Sequence, residues 1–158
     1  MPAREEHLPE INEIYNYFVL HSTCTYQEKP ESLDSRRKWF TQHTDPHPAI
    51  VAVEKGRVIG WGSLSPYHPR SAYRFTVENS VYVHHDHHRR GVGSRLLANL
   101  IERGRLLGHR TIIAGIDSTQ TSSIALHTRF DFLPAGHLRH VGFKLGQWLD
   151  VIYLQKML

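Results

Sequence analysis

The stretch Thr76–Leu97, TVENSVYVHHDHHRRGVGSRLL, is the most informative part of this 158-residue sequence. It opens with β-branched residues that favour an extended strand, at Val77, Val81 and Val83. After a basic turn with two glycines, apolar residues recur at the spacing of one helical face, at Val92, Leu96, Leu97, Leu100 and Ile101. The stretch therefore predicts a strand, a glycine loop and a helix in succession.

A glycine loop that opens a helix is a natural anion site. The first N–H groups of a helix lack helical partners, and the helix dipole adds partial positive charge there. Gly91 and Gly93 would let a phosphate approach the backbone without a Cβ in the way. Arg89, Arg90 and Arg95 add positive charge. The segment predicts a site for a phosphate-bearing ligand, and the alternative is a plain turn between strand and helix.

The loop resembles one known phosphate-binding signature. It lacks the Gly-Lys-Ser/Thr of a P-loop and the G-x-G-x-x-G of a dinucleotide fold. The run His88–Gly93, HRRGVG, is similar to the acetyl-CoA loop of the Gcn5-related N-acetyltransferases, Gln/Arg-x-x-Gly-x-Gly/Ala, with His88 in place of Gln or Arg. The resemblance implies acetyl-CoA as co-substrate, held by Val81, Tyr82, Val83, His88, Arg89, Arg90, Gly91, Val92, Gly93, Ser94, Gln120 and Ser123.

Two flanking segments resemble one branch of that superfamily, the phosphinothricin and methionine sulfoximine acetyltransferases. They are Ala72–Val83, AYRFTVENSVYV, and Val141–Asp150, VGFKLGQWLD. The similarity extends over essentially the whole chain. It implies that the protein acetylates the amine of a small amino-acid analogue and that it forms a homodimer.

Glu78 is the first candidate for a catalytic residue. A carboxylate is uncommon among apolar neighbours in the middle of a strand. Partial burial raises the pKa of a glutamate, which suits a general base near neutral pH. The resemblance implies the same role. The alternative is an ion pair with Arg74, which would lie on the same face of a regular strand.

His127 is the second candidate. The segment Gln120–Phe132 is similar to the superfamily pattern Asn-x-x-Ser-x-x-x-His-Glu-x-x-Gly-Phe, with Asp131 at the glycine position. Asp131 tolerates a left-handed backbone better than most residues do. His127 could assist proton transfer or line the acetyl site, and the alternative is a hydrogen-bonded histidine in the core.

The acceptor side is predicted from charge and aromatic character. Arg74 could bind a substrate carboxylate with both guanidinium N–H pairs. Its neighbours Tyr73 and Phe75, with Phe143, Lys144 and Trp148 from the second segment, could shape an apolar slot. Alternatively, Arg74 covers the sheet with its aliphatic stem.

The order of strand and helix patterns predicts an α/β fold with a mixed, mainly antiparallel central sheet flanked by helices. The resembled enzymes usually begin with a further strand, which we expect to be missing or vestigial here. Among the expected elements are a short helix capped by Ser35, a long central strand Tyr73–Val83, a helix Val92–Leu107, a helix Ser123–Phe130, and closing strands Phe132–Leu138 and Trp148–Leu158.

Bulk properties narrow the class of protein. Residues 1–158 have the length of a single domain. Because Cys24 is the only cysteine, the chain cannot form an internal disulfide. No apolar run is long enough to span a bilayer, so we expect a cytoplasmic protein without a membrane partner. The net charge of +4 accompanies no nucleic-acid recognition motif, so we expect no nucleic-acid partner. The chain has 13 histidines, but consecutive ones such as His84–His88 should diverge, so we expect no metal.

Two classes of function fit these patterns. The first is an acetyl-CoA-dependent N-acetyltransferase that acts on a small amino-acid analogue, with peptide N-termini or polyamines as other acceptors. The second is a non-catalytic acetyl-CoA-binding or partner-binding module on the same fold, since a fold alone does not establish activity.

Overall fold

A computed structural model describes all 158 residues. Six strands form one sheet in the order β1-β2-β3-β4-β6-β5. The strands are β1 Ala49–Glu54, β2 Arg57–Pro66, β3 Thr76–Val83, β4 Thr111–Asp117, β5 Leu133–Lys144 and β6 Gln147–Met157. The helices are α1 Leu8–His21, α2 Leu33–Thr41, α3 Val92–Leu106 and α4 Thr121–Arg129. Of the sheet's strand pairs, only β3 with β4 is parallel, so the predicted mixed, mainly antiparallel α/β fold is confirmed.

The parallel pair is short, and this creates the main opening of the molecule. β3 and β4 are paired only from Thr76 with Thr111 to Glu78 with Ile113. Beyond that point the strands separate, while β3 stays paired with β2 as far as Val83 and β4 stays paired with β6 as far as Asp117. The C-terminal half of β3 therefore presents an unpaired edge to a wedge in the sheet.

Helices cover both faces of the sheet. On one face, α3 packs its apolar stripe on the central strands, and Leu97 and Leu100 are completely buried in the larger core cluster. On the other face, α1 packs Leu8 and Ile11 against Trp61 of β2 in a smaller cluster. Because β-strand side chains alternate, Val77 and Glu78 face opposite cores, and Glu78 lies on the side of α1 and α2.

Several predicted element bounds need correction. β3 begins at Thr76, not at Tyr73, because Ser71–Tyr73 form a turn of 3₁₀ helix whose local bonds, such as Arg74 N–H to Ser71 O, replace sheet pairing. The residue that caps α2 is Ser32, whose hydroxyl accepts the Ser35 N–H at 3.1 Å. β5 extends to Lys144 and forms a long hairpin with β6, because the polar residues His137, Arg139 and His140 do not interrupt a strand at the surface.

The start of the chain lies along β1. Pro2 makes one antiparallel bridge with Ile50, and the Ala3 N–H donates to Ala49 O at 2.9 Å. Residues 1–3 therefore take the position of a vestigial edge strand. None of the helices combines the length and apolar character that a bilayer span requires.

Candidate functional site

The glycine loop leaves a row of backbone N–H groups without acceptors. The first helical bond of α3 is from Arg95 N–H to Gly91 O, and no protein oxygen accepts from the N–H groups of Arg89–Ser94. Gly91 is the N-cap in a left-handed conformation at φ 74°, with no atom within 4 Å of the position of a Cβ. Six consecutive open donors at a helix N-terminus fit the phosphates predicted from the sequence.

The arginine side chains of this loop have separate roles. The side chain of Arg90 turns away and forms a two-pronged ion pair with Glu54, with nitrogen–oxygen distances of 2.9 and 3.3 Å. Arg89 is exposed, with φ at 60°, and lines the adjacent opening. Of the two, Arg89 is the one left to meet a phosphate, and Arg90 can contribute its backbone N–H.

The loop forms one wall of a large cavity, which has a volume of about 780 Å³. The cavity follows the wedge between β3 and β4. Among the predicted cofactor residues it is lined by Val81, Tyr82, Val83, His88, Arg89, Gly91, Val92, Gly93, Ser94, Gln120 and Ser123. Glu78 and His127 line it as well, so the structure brings the predicted catalytic and cofactor residues together around one opening.

His88 and Tyr82 contribute in ways that the signature does not specify. His88 Nε2 lies 2.9 Å from Val83 O, so this side chain closes the loop onto the end of β3. The ring of Tyr82 points to the α1 side and stacks on Trp61 with centroids 5.0 Å apart. Tyr82 can therefore offer its backbone edge to an extended ligand, while its ring belongs to the core.

Glu78 is half-buried on β3 and has no partner. Burial raises the pKa of its carboxyl group, and the nearby His68 opposes this shift. No protein group donates a hydrogen bond to the carboxylate, and no ion pair with Arg74 exists. The alternative interpretation of Glu78 as half of a structural ion pair is therefore wrong, and the group is open to a ligand.

Gly115 and Tyr153 complete the surroundings of Glu78, and the sequence reasoning missed both roles. They face each other across β4 and β6. A Cβ on Gly115 would lie 3.2 Å from Tyr153 Cε1 and 3.4 Å from Glu78 Oε1. Burial, then the Glu78 carboxylate, then Tyr67 raise the pKa of Tyr153, so its hydroxyl keeps its proton at neutral pH. The signal that could have found the position is a glycine inside a strand, which often marks a close approach.

His127 is buried and bonded through both ring nitrogens. Nδ1 lies 2.8 Å from Ser123 O and therefore carries the proton, while Nε2 lies 2.9 Å from Asn79 Nδ2 and accepts. Burial lowers its pKa, which keeps the ring neutral. With Phe132 packed edge-on at 4.9 Å, this geometry is that of the core alternative. Asn79, another residue missed from the sequence, leaves its buried Oδ1 unpaired beside the cavity.

A polar cluster holds the far end of the wedge. Asp117 is buried at the end of β4 and accepts hydrogen bonds from Tyr26 at 2.6 Å and from Thr23 at 3.0 Å. Gln120 donates to Thr23 at 2.9 Å, so its amide is engaged within the chain. The cluster fixes the segment between α1 and α2 against the cavity. Asp131 has φ at 62°, so the turn after α4 has the left-handed backbone that a glycine would supply.

The predicted acceptor residues near the start of β3 lie outside the large cavity. Because Arg74 precedes the strand, it does not share a strand face with Glu78. Its guanidinium lies 4.5 Å from the centre of the Phe75 ring and donates to Ser71 O at 3.1 Å. Tyr73 and Phe75 are exposed, and none of the three lines the large cavity.

The predicted acceptor residues of the β5–β6 hairpin are also outside the cavity. Lys144 is buried, and its ammonium donates to Thr25 O at 2.7 Å and to Phe18 O at 3.4 Å. Phe143 and Trp148 form an exposed aromatic pair with centroids 5.1 Å apart. Lys144 therefore anchors the hairpin to the end of α1, and the pair faces outward.

The loop histidines do not all diverge, contrary to the sequence-based expectation. The rings of His84 and His85 stack at 4.4 Å, and their ligand atoms and that of Asp86 lie within 4.8 Å of one another. The reason is the short 3₁₀ helix His85–His87, which turns the chain back. One nitrogen of His84 already accepts the Asp86 N–H at 3.2 Å.

Comparisons with known proteins identify the family to which the chain belongs. Residues 11–132 match the Acetyltransferase (GNAT) family. The chain is 40% identical over 150 residues to the L-methionine sulfoximine/L-methionine sulfone acetyltransferase of Pseudomonas aeruginosa, covering 94% of this chain and 87% of the relative. It is 39% identical over 158 residues to the phosphinothricin N-acetyltransferase of Alcaligenes faecalis, covering 99% and 80%.

A solved acetyltransferase structure has the same fold as this chain. The GNAT superfamily phosphinothricin acetyltransferase of Sinorhizobium meliloti, solved in complex with AcCoA, superimposes with a TM-score of 0.97 at 38% identity. The match covers 100% of this chain and 86% of that one. Fold, sequence match and open amide loop all agree, and the protein is a member of the Acetyltransferase (GNAT) family.

Proposed function

We propose that this protein is an acetyl-CoA-dependent N-acetyltransferase whose acceptor is the amine of a small amino-acid analogue, such as methionine sulfoximine, methionine sulfone or phosphinothricin. The observation that carries the proposal is the row of six unpartnered backbone N–H groups, Arg89–Ser94, at one end of a wedge that holds the unpaired carboxylate of Glu78. The names of the relatives support the acceptor class.

In this proposal the loop and the wedge bind the co-substrate by shape and charge. The amides of Arg89–Ser94 take the pyrophosphate, and the unpaired edge of Val81–Val83 adds the pantetheine arm as an extra strand. Bound acetyl-CoA supplies an activated thioester carbonyl. The backbone does most of this binding, so the loop needs glycine at Gly91, where a phosphate must approach a left-handed residue.

Glu78 removes the proton that the acceptor amine must lose. Its raised pKa brings it closer to a match with an ammonium group than an exposed glutamate would be. Gly115 leaves the space beside the carboxylate empty, and the Tyr153 ring bounds it. An amine in that space meets a carboxylate on one side and an apolar ring on the other, which favours a small acceptor.

The strongest argument for the non-catalytic alternative is that the Gln120–Asp131 segment departs from the superfamily pattern. In the structure α4 forms over Thr121–Arg129, and Asp131 has the left-handed backbone that a glycine adopts without strain. The departures therefore leave the local fold intact, which favours the enzyme.

Thiol release from acetyl-CoA tests the proposal. We expect methionine sulfone, methionine sulfoximine and phosphinothricin to support release well above the rate without an acceptor. Spermidine and a short peptide with a free N-terminus serve as the competing acceptor classes. The amino-acid assignment fails if either of these is preferred, and the enzyme assignment fails if no amine stimulates release although acetyl-CoA binds.

The proposal includes a homodimer in the cytoplasm. The β5–β6 hairpin exposes a run of apolar side chains, Leu133, Leu138, Val141, Phe143, Leu145 and Trp148, which a second copy would cover. Cys24 is free, as suits a reducing compartment. Sedimentation velocity should give a dimer for the wild type and a monomer for Val141→Lys combined with Trp148→Lys. A wild-type monomer at micromolar concentration would contradict this part.

A further inference from the structure

A second, smaller cavity lies on the α1–α2 side of the sheet and has a volume of about 190 Å³. It is lined by Tyr15, Gln27, Glu31, Arg36, Trp39, Trp61, Ser63, Ser80 and Tyr82. We call it the Arg36 cavity. Ser63 and Ser80 face each other across β2 and β3 on its floor. At about 30 Å³ per liquid water, it has room for about six waters, or for a small polar group, but not for a nucleotide.

Arg36 is a buried charge without an ionic partner. It is 4% exposed, and its guanidinium lies over three aromatic rings, 4.7 Å from Tyr15, 4.7 Å from Trp39 and 5.4 Å from Trp61. Its only hydrogen bond to the protein is from Nε to Asn12 Oδ1 at 3.2 Å. The two terminal nitrogens therefore have no protein acceptor. Buried charges in proteins are normally paired, because isolation from water is costly.

Other donors line the same cavity. Trp61 Nε1–H is buried and has no hydrogen-bond partner. The hydroxyl of Ser63, a residue only 1% exposed, and that of Ser80 also make no hydrogen bond to another side chain, unlike Ser65, which meets His43 Nε2 at 2.9 Å. A guanidinium, an indole N–H and two hydroxyls form a donor set that is complementary to an oxyanion.

One carboxylate also faces the cavity, and its oxygens are already engaged. Glu31 accepts from Gln27 Nε2 at 2.8 Å and from the Ser35 hydroxyl. It forms no ion pair with the guanidinium, so it offsets part of the charge of Arg36 without occupying its terminal nitrogens. Tyr15, on α1, also has its hydroxyl engaged, because it is bonded to Thr25 and Gln27, each at 2.9 Å.

We propose that the Arg36 cavity binds a small oxyanion, such as a carboxylate or phosphinate, through Arg36, Trp61, Ser63 and Ser80. The oxyanion has two sources: a free anion from solution, or the distal group of the acceptor. The second source rests on the proposed function. Ser80 lines both cavities and lies two residues beyond Glu78 on the same face of β3, about 7 Å away, so one small molecule can extend from the base to the cavity.

Acetate binding to the protein without acetyl-CoA tests the site. Trp39 and Trp61 line the cavity, so tryptophan fluorescence should report a saturable response to sodium acetate, against sodium chloride at matched ionic strength. Ser63→Ala and Ser80→Ala should weaken acetate binding about tenfold each, the effect of losing one hydrogen bond to a charged group. These variants retain Arg36 and so avoid unfolding the cluster of rings.

Two controls separate the cavity from other anion sites. Arg37→Gln removes an exposed arginine of the same helix that pairs with Asp34 at 3.0 Å, and it should leave the acetate response unchanged. Gly91→Asp alters the glycine loop and should leave the response unchanged as well. The proposal is overturned if the wild type shows no saturable response, or if both serine variants bind acetate as the wild type does.

Transfer kinetics at saturating acetyl-CoA then identify the source. If the acceptor places its distal group in the cavity, acetate will raise the KM for phosphinothricin, whose distal group is a phosphinate, without lowering kcat, and Ser63→Ala will raise that KM about tenfold. If the cavity holds a free anion, acetate will leave the KM unchanged. A protein that binds acetate but transfers no acetyl group would contradict the proposed function and leave the oxyanion site standing.

Discussion

The proposed cofactor loop and the proposed acceptor side lie at opposite ends of β3 and are built in different ways. The loop uses backbone N–H groups of six consecutive residues, Arg89–Ser94, so a short run of sequence contains all of it. The acceptor side uses residues from separate strands, namely the side chains of Glu78 on β3 and Tyr153 on β6 and the space left by Gly115 on β4. A site made from the backbone of consecutive residues can be predicted from the sequence. A site made from residues of several strands cannot, because it depends on how distant strands are paired.

A change at Glu78 should therefore slow the chemical step, whereas a change in the glycine loop should weaken acetyl-CoA binding. Glu78→Gln should have the largest effect, a loss of kcat of about 10²–10⁴-fold, the range for removal of a general base. Acetyl-CoA affinity by calorimetry should stay within about twofold, because the loop is intact. A loss of folding stability that matches the loss of activity would instead point to a structural role.

Gly91→Asp should act at the other end. The new carboxylate would stand where phosphate must lie, and a like-charge contact of several kcal/mol corresponds to a loss of acetyl-CoA affinity of about 100-fold or more. Gly56→Asp is a matched control, because Gly56 has φ at 78° and open space around it, as Gly91 does, but lies in the β1–β2 turn. If calorimetry gave equal acetyl-CoA affinities for the two variants, the pyrophosphate would have to bind at another part of the protein.

Gly115→Ala should sharpen the description of the acceptor side. Its Cβ would come within 3.4 Å of both Glu78 Oε1 and the Tyr153 ring, so the two must move apart or the acceptor must lose space. We expect kcat/KM for the acceptor to fall about tenfold, which is 1.4 kcal/mol, with acetyl-CoA affinity unchanged. Gly136→Ala, opposite Tyr153 on β5 with only one atom near at 4.0 Å, is the control. Equal acceptor kinetics in the two variants would argue against Gly115 as a boundary.

His127→Ala should have the smallest effect on chemistry and a clear effect on stability. It removes the bonds to Ser123 O and Asn79 and should cost about 1–3 kcal/mol in urea denaturation. Its pKa is lowered, so the unfolded chain binds a proton that the native ring does not, and the wild type should lose stability as pH falls below about 6.5. The variant should lack this component. A hundredfold drop in kcat at unchanged stability would restore a catalytic role.

The local features of the sequence led to correct expectations. The helix after the loop, its end near Gly108 at φ 82° and the left-handed Asp131 all follow from neighbouring residues. The failures have two physical causes: a local turn can replace a strand, and a long side chain can find a partner far along the chain. Arg74 could continue a strand, but the turn at Ser71–Tyr73 bonds to itself. Lys144 could meet a substrate, but it reaches back across 119 residues to Thr25 O.

The central claim is that the backbone N–H groups of Arg89–Ser94 bind the pyrophosphate of coenzyme A, and an amide-detected NMR titration with coenzyme A tests it most directly. The largest shifts, towards the frequencies of hydrogen-bonded amides, should occur at the N–H groups of Arg89–Ser94, and they should be absent when pantetheine, which lacks the pyrophosphate, replaces coenzyme A. Tight binding of coenzyme A with these six amides unmoved, and another cluster shifted in their place, would contradict it.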